Sequence, residues 1–172
     1  MTPGRNDDTE RAEILETLSK HRGFLRQTVQ GLTDEQAAAH PTVSALCLGG
    51  VIKHVSAVEE HWVDFIEHGS QMTGPPDAST MEAHAATFRM EAGDTLAGLL
   101  DAYAAAAART EKVVGSLASL DDAHPLPPAP WFAKGAQWSA RRVLLHVIAE
   151  TSQHAGHADI IRESIDGAKT MG

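Results

Sequence analysis

The stretch 144–159, LLHVIAETSQHAGHAD, sets three histidines and a glutamate into a run whose apolar residues otherwise step at helical spacing. At 100° per residue, His146, Glu150, His154 and His157 point at about 0°, 40°, 80° and 20°, which makes one stripe. Val143, Val147 and Ile161 lie on or beside that stripe. The stripe is therefore mostly core-facing, and an ionisable group on it needs a partner, a proton or a metal.

Outward from this stretch, Ser139 is placed to cap the helix, which is expected from about residue 140 to 164 with its end before Gly167. The preceding segment 119–139, SLDDAHPLPPAPWFAKGAQWS, holds four prolines and two tryptophans and reads as a long, stiff, partly extended connection. Before it, Leu96, Leu99, Leu100, Tyr103, Ala107, Thr110, Val114 and Leu117 define a helix over about 94–117, whose alanine-rich middle permits close approach. The segment 69–80 is turn chemistry, with an extra helical turn or two expected within 80–92. A further long helix starts between Ser44 and Gly50 and runs to about His68, with Val51, Val55, Val58, Trp62, Phe65 and Ile66 on one side. The first helix spans roughly 8–30 and stops near Gly31; Thr33 with Gln36 then fits a capping box and a short helical piece before Pro41. Four long helices, no alternating strand pattern and no internal repeat predict an all-α four-helix bundle.

The chain has 172 residues and 42% hydrophobic content, enough for one domain with a real core, taken as 1–172. A net charge of -9, with no Lys/Arg cluster longer than Arg141-Arg142, argues against nucleic acid and anionic membrane as partners. The longest apolar run, at 102–108, is far below the ~20 residues a membrane span needs. The opening residues show no signal-peptide core, and the single cysteine, Cys47, excludes an intramolecular disulfide; a cytoplasmic protein is expected.

Bundles build sites between facing helices. Glu150 and His154 are one turn apart on one face, close enough to reach a common ion. A catalytic zinc commonly takes three protein ligands and leaves one position open. The third ligand is expected from another helix: His54, among Val51, Val55 and Val58, with His61 in reserve on the same stripe. Such a nitrogen and oxygen set suits zinc, nickel or ferrous iron. The competing reading is a buried polar network in which Glu150 accepts hydrogen bonds from His154 and His54. His157 is a candidate fourth ligand or a group orienting bound water, and His146 could act likewise, with a place at the bundle edge as the plainer reading of both. Trp131, Phe132 and Trp138 are placed to wall a pocket, against simple packing. Arg141 and Arg142 could hold an anionic substrate or cofactor carboxylate, against a solvated first turn. Cys47 reads as a small buried residue.

LGGVIKHVSAVEEHW (48–62), followed about ninety residues later by LLHVIAETSQHAGHADIIRESIDG (144–167), resembles the DinB-like (DinB/YfiT) superfamily of four-helix metalloenzymes, in its actinobacterial-type branch. The resemblance spans nearly the whole chain. It implies a bundle in up-down-down-up order with a long crossover, and a divalent metal bound by His54, Glu150 and His154. Many relatives use three histidines; the mycothiol-dependent maleylpyruvate isomerases are similar in carrying glutamate at the second position. Those enzymes and related transferases activate the sulfur of a low-molecular-weight thiol such as mycothiol. The isomerases carry a further C-terminal domain, whereas this sequence runs to Gly172 directly after its last helix, so the expectation taken is the broader one.

That expectation is a metal-dependent thiol S-transferase, or an enzyme activating water, acting on a small electrophile. The catalytic candidates are His157 and His61, and the cofactor-binding candidates Arg141, Arg142 and Trp138. The alternatives are a non-catalytic metal-binding module and a helical interaction protein with merely buried histidines. A homodimer through one bundle face is compatible with the pattern.

Overall fold

The computed structural model describes residues 5–72 and 74–170, so of the opening stretch residues 1–4 lie outside the described chain. Its helices are α1 (Arg5–Gln27), α2 (Asp34–Ala38), α3 (Leu48–His68), α4 (Ala78–Ala86), α5 (Leu96–Ser116) and α6 (Ala140–Asp166). The chain is an all-α bundle of α1, α3, α5 and α6. The expected capping box forms, with Gln36 N–H donating to Thr33 Oγ1 and Thr33 N–H to Gln36 Oε1. Ser139 caps α6, and Gly167 ends it at φ 78°, a left-handed conformation that glycine adopts without strain.

Polar ties fix the helix directions. Arg11 near the start of α1 donates to the carbonyls of Val114 and Leu117 at the end of α5, so these two run antiparallel. Arg141 at the start of α6 pairs with Glu10, and Arg162 near its end donates to Thr28 O, so α1 and α6 are parallel. Lys53 pairs with Asp94 just before α5, and Arg109 in its second half with Glu67, which makes α3 and α5 parallel. His54 meets His154 while Trp62 meets His146, so α3 opposes α6. The order is up-down-down-up. Parallel α3 and α5 need a crossover along the bundle, and residues 69–95 with α4 supply it.

One expectation needs correcting. The 119–139 segment is not merely extended: Ala123–Pro125 (β1) and Gln137–Ser139 (β2) pair antiparallel, with His124 opposite Trp138. The Pro-rich loop 126–136 is thereby held as a long hairpin tip. Three-residue strands are too short to show alternation in a sequence.

The core has two apolar clusters. One gathers Leu18, Trp62, Val63, Val114, Val143 and Val147; the other gathers Leu25, Leu48, Val51, Val55, Tyr103 and Ile161. Beside them lies a buried ion pair. Arg22 Nε donates to Glu59 Oε2 at 3.2 Å, Arg22 Nη2 and Thr110 Oγ1 both reach Glu59 Oε1, and Glu59 is fully buried.

Candidate metal centre and adjoining cavity

His54, Glu150 and His154 each offer a ligand atom lying within 4.8 Å of the others, at the seam of α3 and α6. Both histidines are buried and Glu150 is half-buried. His154 Nε2 lies 3.6 Å from Glu150 Oε2, beyond hydrogen-bond length. Tetrahedral donors about 2.0–2.1 Å from a zinc sit roughly 3.3 Å apart, so the three are grouped on the scale of a shared ion. No hydrogen bond among the described residues joins Glu150 to His54 or His154, but Glu150 stands at ion-pair distance from His154 and His146, an arrangement that suits a shared ion and also a looser polar network. His154 Nδ1, the ring nitrogen that does not face Glu150, is buried without a hydrogen-bond partner among the described residues.

The crossover sets the tautomer of His54. Thr87, which caps the C-terminus of α4, has one hydroxyl hydrogen and directs it to His84 O at 2.6 Å. Its oxygen lies 2.8 Å from His54 Nδ1 and can there only accept. Nδ1 therefore carries the proton, and Nε2 keeps the lone pair a metal needs. Phe88 stacks on the same ring with centroids 3.7 Å apart. Gly50 makes this approach possible: a Cβ there would lie 2.0 Å from Phe88 O. Cys47, buried as expected, caps α3 with its sulfur accepting from Gly50 N–H.

Burial, then the neighbouring His154 and His84, pushes the His54 pKa down to about 3. Burial also lowers His154, with Glu150 opposing it. Both rings are thus neutral at pH 7, as ligation requires.

The other expected site residues divide into those near the donors and those apart. His146 places Nε2 3.8 Å from Glu150 Oε1, and its ring meets Trp62 and Trp138 edge-on. His157 lies with its ring 5.4 Å from that of His154, and its Nδ1 is buried without a partner. His61 is exposed and lines a cavity of about 650 Å³ that reaches His54; burial of its ring by the cavity walls lowers its pKa. Trp131 and Phe132 wall the same cavity, as expected, whereas Trp138 stands behind it, stacked on Trp62 at 4.9 Å. Arg142 lies over the Trp138 ring at 4.8 Å. Arg141 stands apart, its guanidinium bound by Glu10 and Asp121.

Sequence reasoning assigned no part to Thr87, Phe88 or His84, because a short helix with no buried residues leaves no apolar stripe to read. The Arg22–Glu59 pair did leave a signal. Glu59 continues the stripe of Val55 and Val63 at four-residue steps, and Arg22 continues that of Leu18 and Leu25.

Comparison with known proteins agrees with this architecture. A family model described as mycothiol-S-transferase matches residues 13–167. A crystal structure of a conserved protein of locus from Enterococcus faecalis superposes with a TM-score of 0.68 at 16% identity, covering 91% of this chain and 97% of that one, which shows a shared fold. No curated protein matches the chain. With the family model covering nearly its whole length, the chain belongs to the mycothiol-S-transferase family, within the DinB-like group its motifs resemble.

Proposed function

We propose that this member of the mycothiol-S-transferase family transfers a low-molecular-weight thiol, mycothiol by family, to a small electrophile, with a divalent metal held by His54, Glu150 and His154. The convergence of three donor atoms within 4.8 Å, beside a cavity large enough for a substrate, carries the reading. Zinc suits two imidazoles and one carboxylate best, with nickel and iron as rivals. Such an ion would lower the pKa of the thiol and keep its sulfur anionic at neutral pH. One carboxylate against a divalent ion leaves a local charge of about +1, which favours a thiolate.

The protein's own groups supply the rest. Thr87 and Phe88 hold His54 in its ligating tautomer, and His146 lies against the Glu150 carboxylate. His61, neutral and opening on the cavity, takes the thiol proton and passes it to solvent. The sulfur lone pair forms the new carbon–sulfur bond, and the leaving group departs with the electron pair of the bond that breaks. His157, with its Nδ1 buried without a partner and its ring 5.4 Å from that of His154, is the group proposed to orient a water there. Arg142 lies over Trp138, whose ring meets His146 beside Glu150, and this row of side chains is the proposed contact for the body of the thiol. No described helix is long and apolar enough to cross a membrane. A reduced small thiol is a cytosolic reagent, which fits a cytoplasmic location.

Elemental analysis of wild type beside Glu150→Ala and His154→Ala tests the centre. About one metal per chain is expected, lost in both variants, with thiol transfer lost in parallel. No metal in any of them after reloading would overturn the proposal.

A further inference from the structure

The cavity beside His54 has a chemistry that the thiol reaction alone does not dictate. Among the described residues its lining includes no Asp, Glu, Lys or Arg, and the walls are aliphatic and aromatic, with Val58, Trp62, Met81, Trp131 and Phe132 prominent. Of its polar members, His54 and Thr87 are bonded to each other, leaving His61, His84 and Thr80. Three separate parts of the chain build it: α3 gives one wall, α4 and the segment before it a second, and the Pro-rich hairpin tip a third. At about 650 Å³ it lies in the range of small-molecule sites, which are roughly 300–1,000 Å³.

Such walls discriminate by charge. An anionic substrate would leave water for walls whose own side chains offer no cation, which costs several kcal/mol unless it is paired, and along the hydrocarbon walls away from His54 nothing pairs it. The chain's net charge of -9 adds long-range repulsion. A hydroxyl-rich thiol fits no better, since most of its hydroxyls would lose their hydrogen bonds. A flat or bulky uncharged hydrocarbon frame finds apolar surface and aromatic faces.

We infer that this cavity is the subsite of the second substrate and that it takes an uncharged aromatic or apolar electrophile. This deepens the proposed function and rests on it for the word electrophile; the ligand class rests on the cavity alone. The reacting carbon sits at the His54 end, and the hydrocarbon frame lies between Trp131, Phe132 and Met81. A dicarboxylate is disfavoured.

The test uses the full-length protein and two unreactive probes of one ring system, 2-methylnaphthalene and 2-naphthoate, with binding read by quenching of tryptophan fluorescence. The uncharged probe is expected to bind at least 10-fold tighter in metal-free protein, where only the cavity walls are read. Trp131→Ala, at a residue 62% exposed whose loss leaves the core intact, is expected to weaken it severalfold or more. Ala83→Arg, placing a guanidinium at the exposed rim, is expected to narrow or reverse the preference. Equal affinity for the two probes, or binding of the uncharged one unchanged in both variants, overturns the inference. Thiol transfer is scored separately. Selective probe binding without transfer by metal-loaded protein supports the cavity assignment while defeating the enzyme reading; transfer that prefers a carboxylate-bearing electrophile defeats the cavity assignment and leaves the enzyme reading standing.

Discussion

Thr87→Val tests whether the crossover prepares His54 for a metal. Valine keeps the shape of threonine and removes the acceptor that holds Nδ1–H at 2.8 Å, beside a histidine only 3% exposed. A buried donor left unpaired costs about 1–3 kcal/mol. His54 can escape part of that cost by moving the proton to Nε2, but it must then move it back to bind metal. That route charges the penalty to the bound state alone, so affinity should fall by roughly 10–100-fold, or about 1.4–2.8 kcal/mol, the range expected for losing a group that orients a ligand. Competition against a chromophoric chelator measures the loss. Thr87→Ser, which restores the hydroxyl, should recover most of the affinity. Wild-type affinity in Thr87→Val would refute the reasoning and reduce the contact to packing.

Other consequences follow from burial and close approach. Glu59→Leu leaves Arg22 charged in the core with only the exposed Glu111 carboxylate, at 3.7 Å, beside it and should destabilise by about 3 kcal/mol in urea, while adding Arg22→Met should recover most of that; equal losses in the single and double variants would deny the coupling. Gly50→Ala sets a Cβ against the backbone of Phe88, which cannot yield as a flexible side chain would, and should cost about 1–3 kcal/mol together with metal affinity; wild-type behaviour in both would show the crossover free to shift. In metal-free protein the folded state binds its His54 proton only near pH 3, whereas the unfolded chain does so near 6.5. Above about 6.5 both are neutral and nothing is gained. Below it the unfolded state takes up the proton, so stability should fall by about 1.4 kcal/mol per pH unit, roughly 2 kcal/mol between pH 6.5 and 5. His146 and His154, also lowered by burial, act in the same direction. A urea midpoint unchanged across that interval would refute it.

The helices were legible because each long one carries a continuous apolar stripe and local end signals. Thr33 with Gln36, Ser139 and Gly167 act within a few residues of where they stand, and each acts as its neighbours predict. The donor trio was legible for a related reason: polar groups on an apolar stripe have to be accounted for, and His54, Glu150 and His154 stand on stripes that face each other. What escaped depends on distant chain meeting by topology. Nothing near Thr87 in sequence points to His54, and the unusual pair Gly49-Gly50 acquires its meaning only when Phe88 and Met90 lie against it. The strand pairing of 123–125 with 137–139 is likewise a contact across a loop, too short to leave a period.

Connectivity and chemistry are joined in this fold. Because α3 and α5 run parallel, the chain must travel the length of the bundle between them, and residues 69–95 make that journey over the half of α3 that carries His54. The crossover cannot be trimmed to a tight turn as an antiparallel connection could. It closes one side of the cavity, brings Thr87 and Phe88 to the imidazole, and leaves α4 itself with no buried residue. A segment tied down at Lys53 and at His54, yet little buried in itself, belongs to the less stable end of a structure. Metal at His54 should therefore order it: amide exchange across 78–90 should slow on loading, while the α3 core around Val55 and Val63 exchanges as before. Equal slowing of both would show that the ion stabilises the bundle as a whole and that the crossover has no separate part in holding the site.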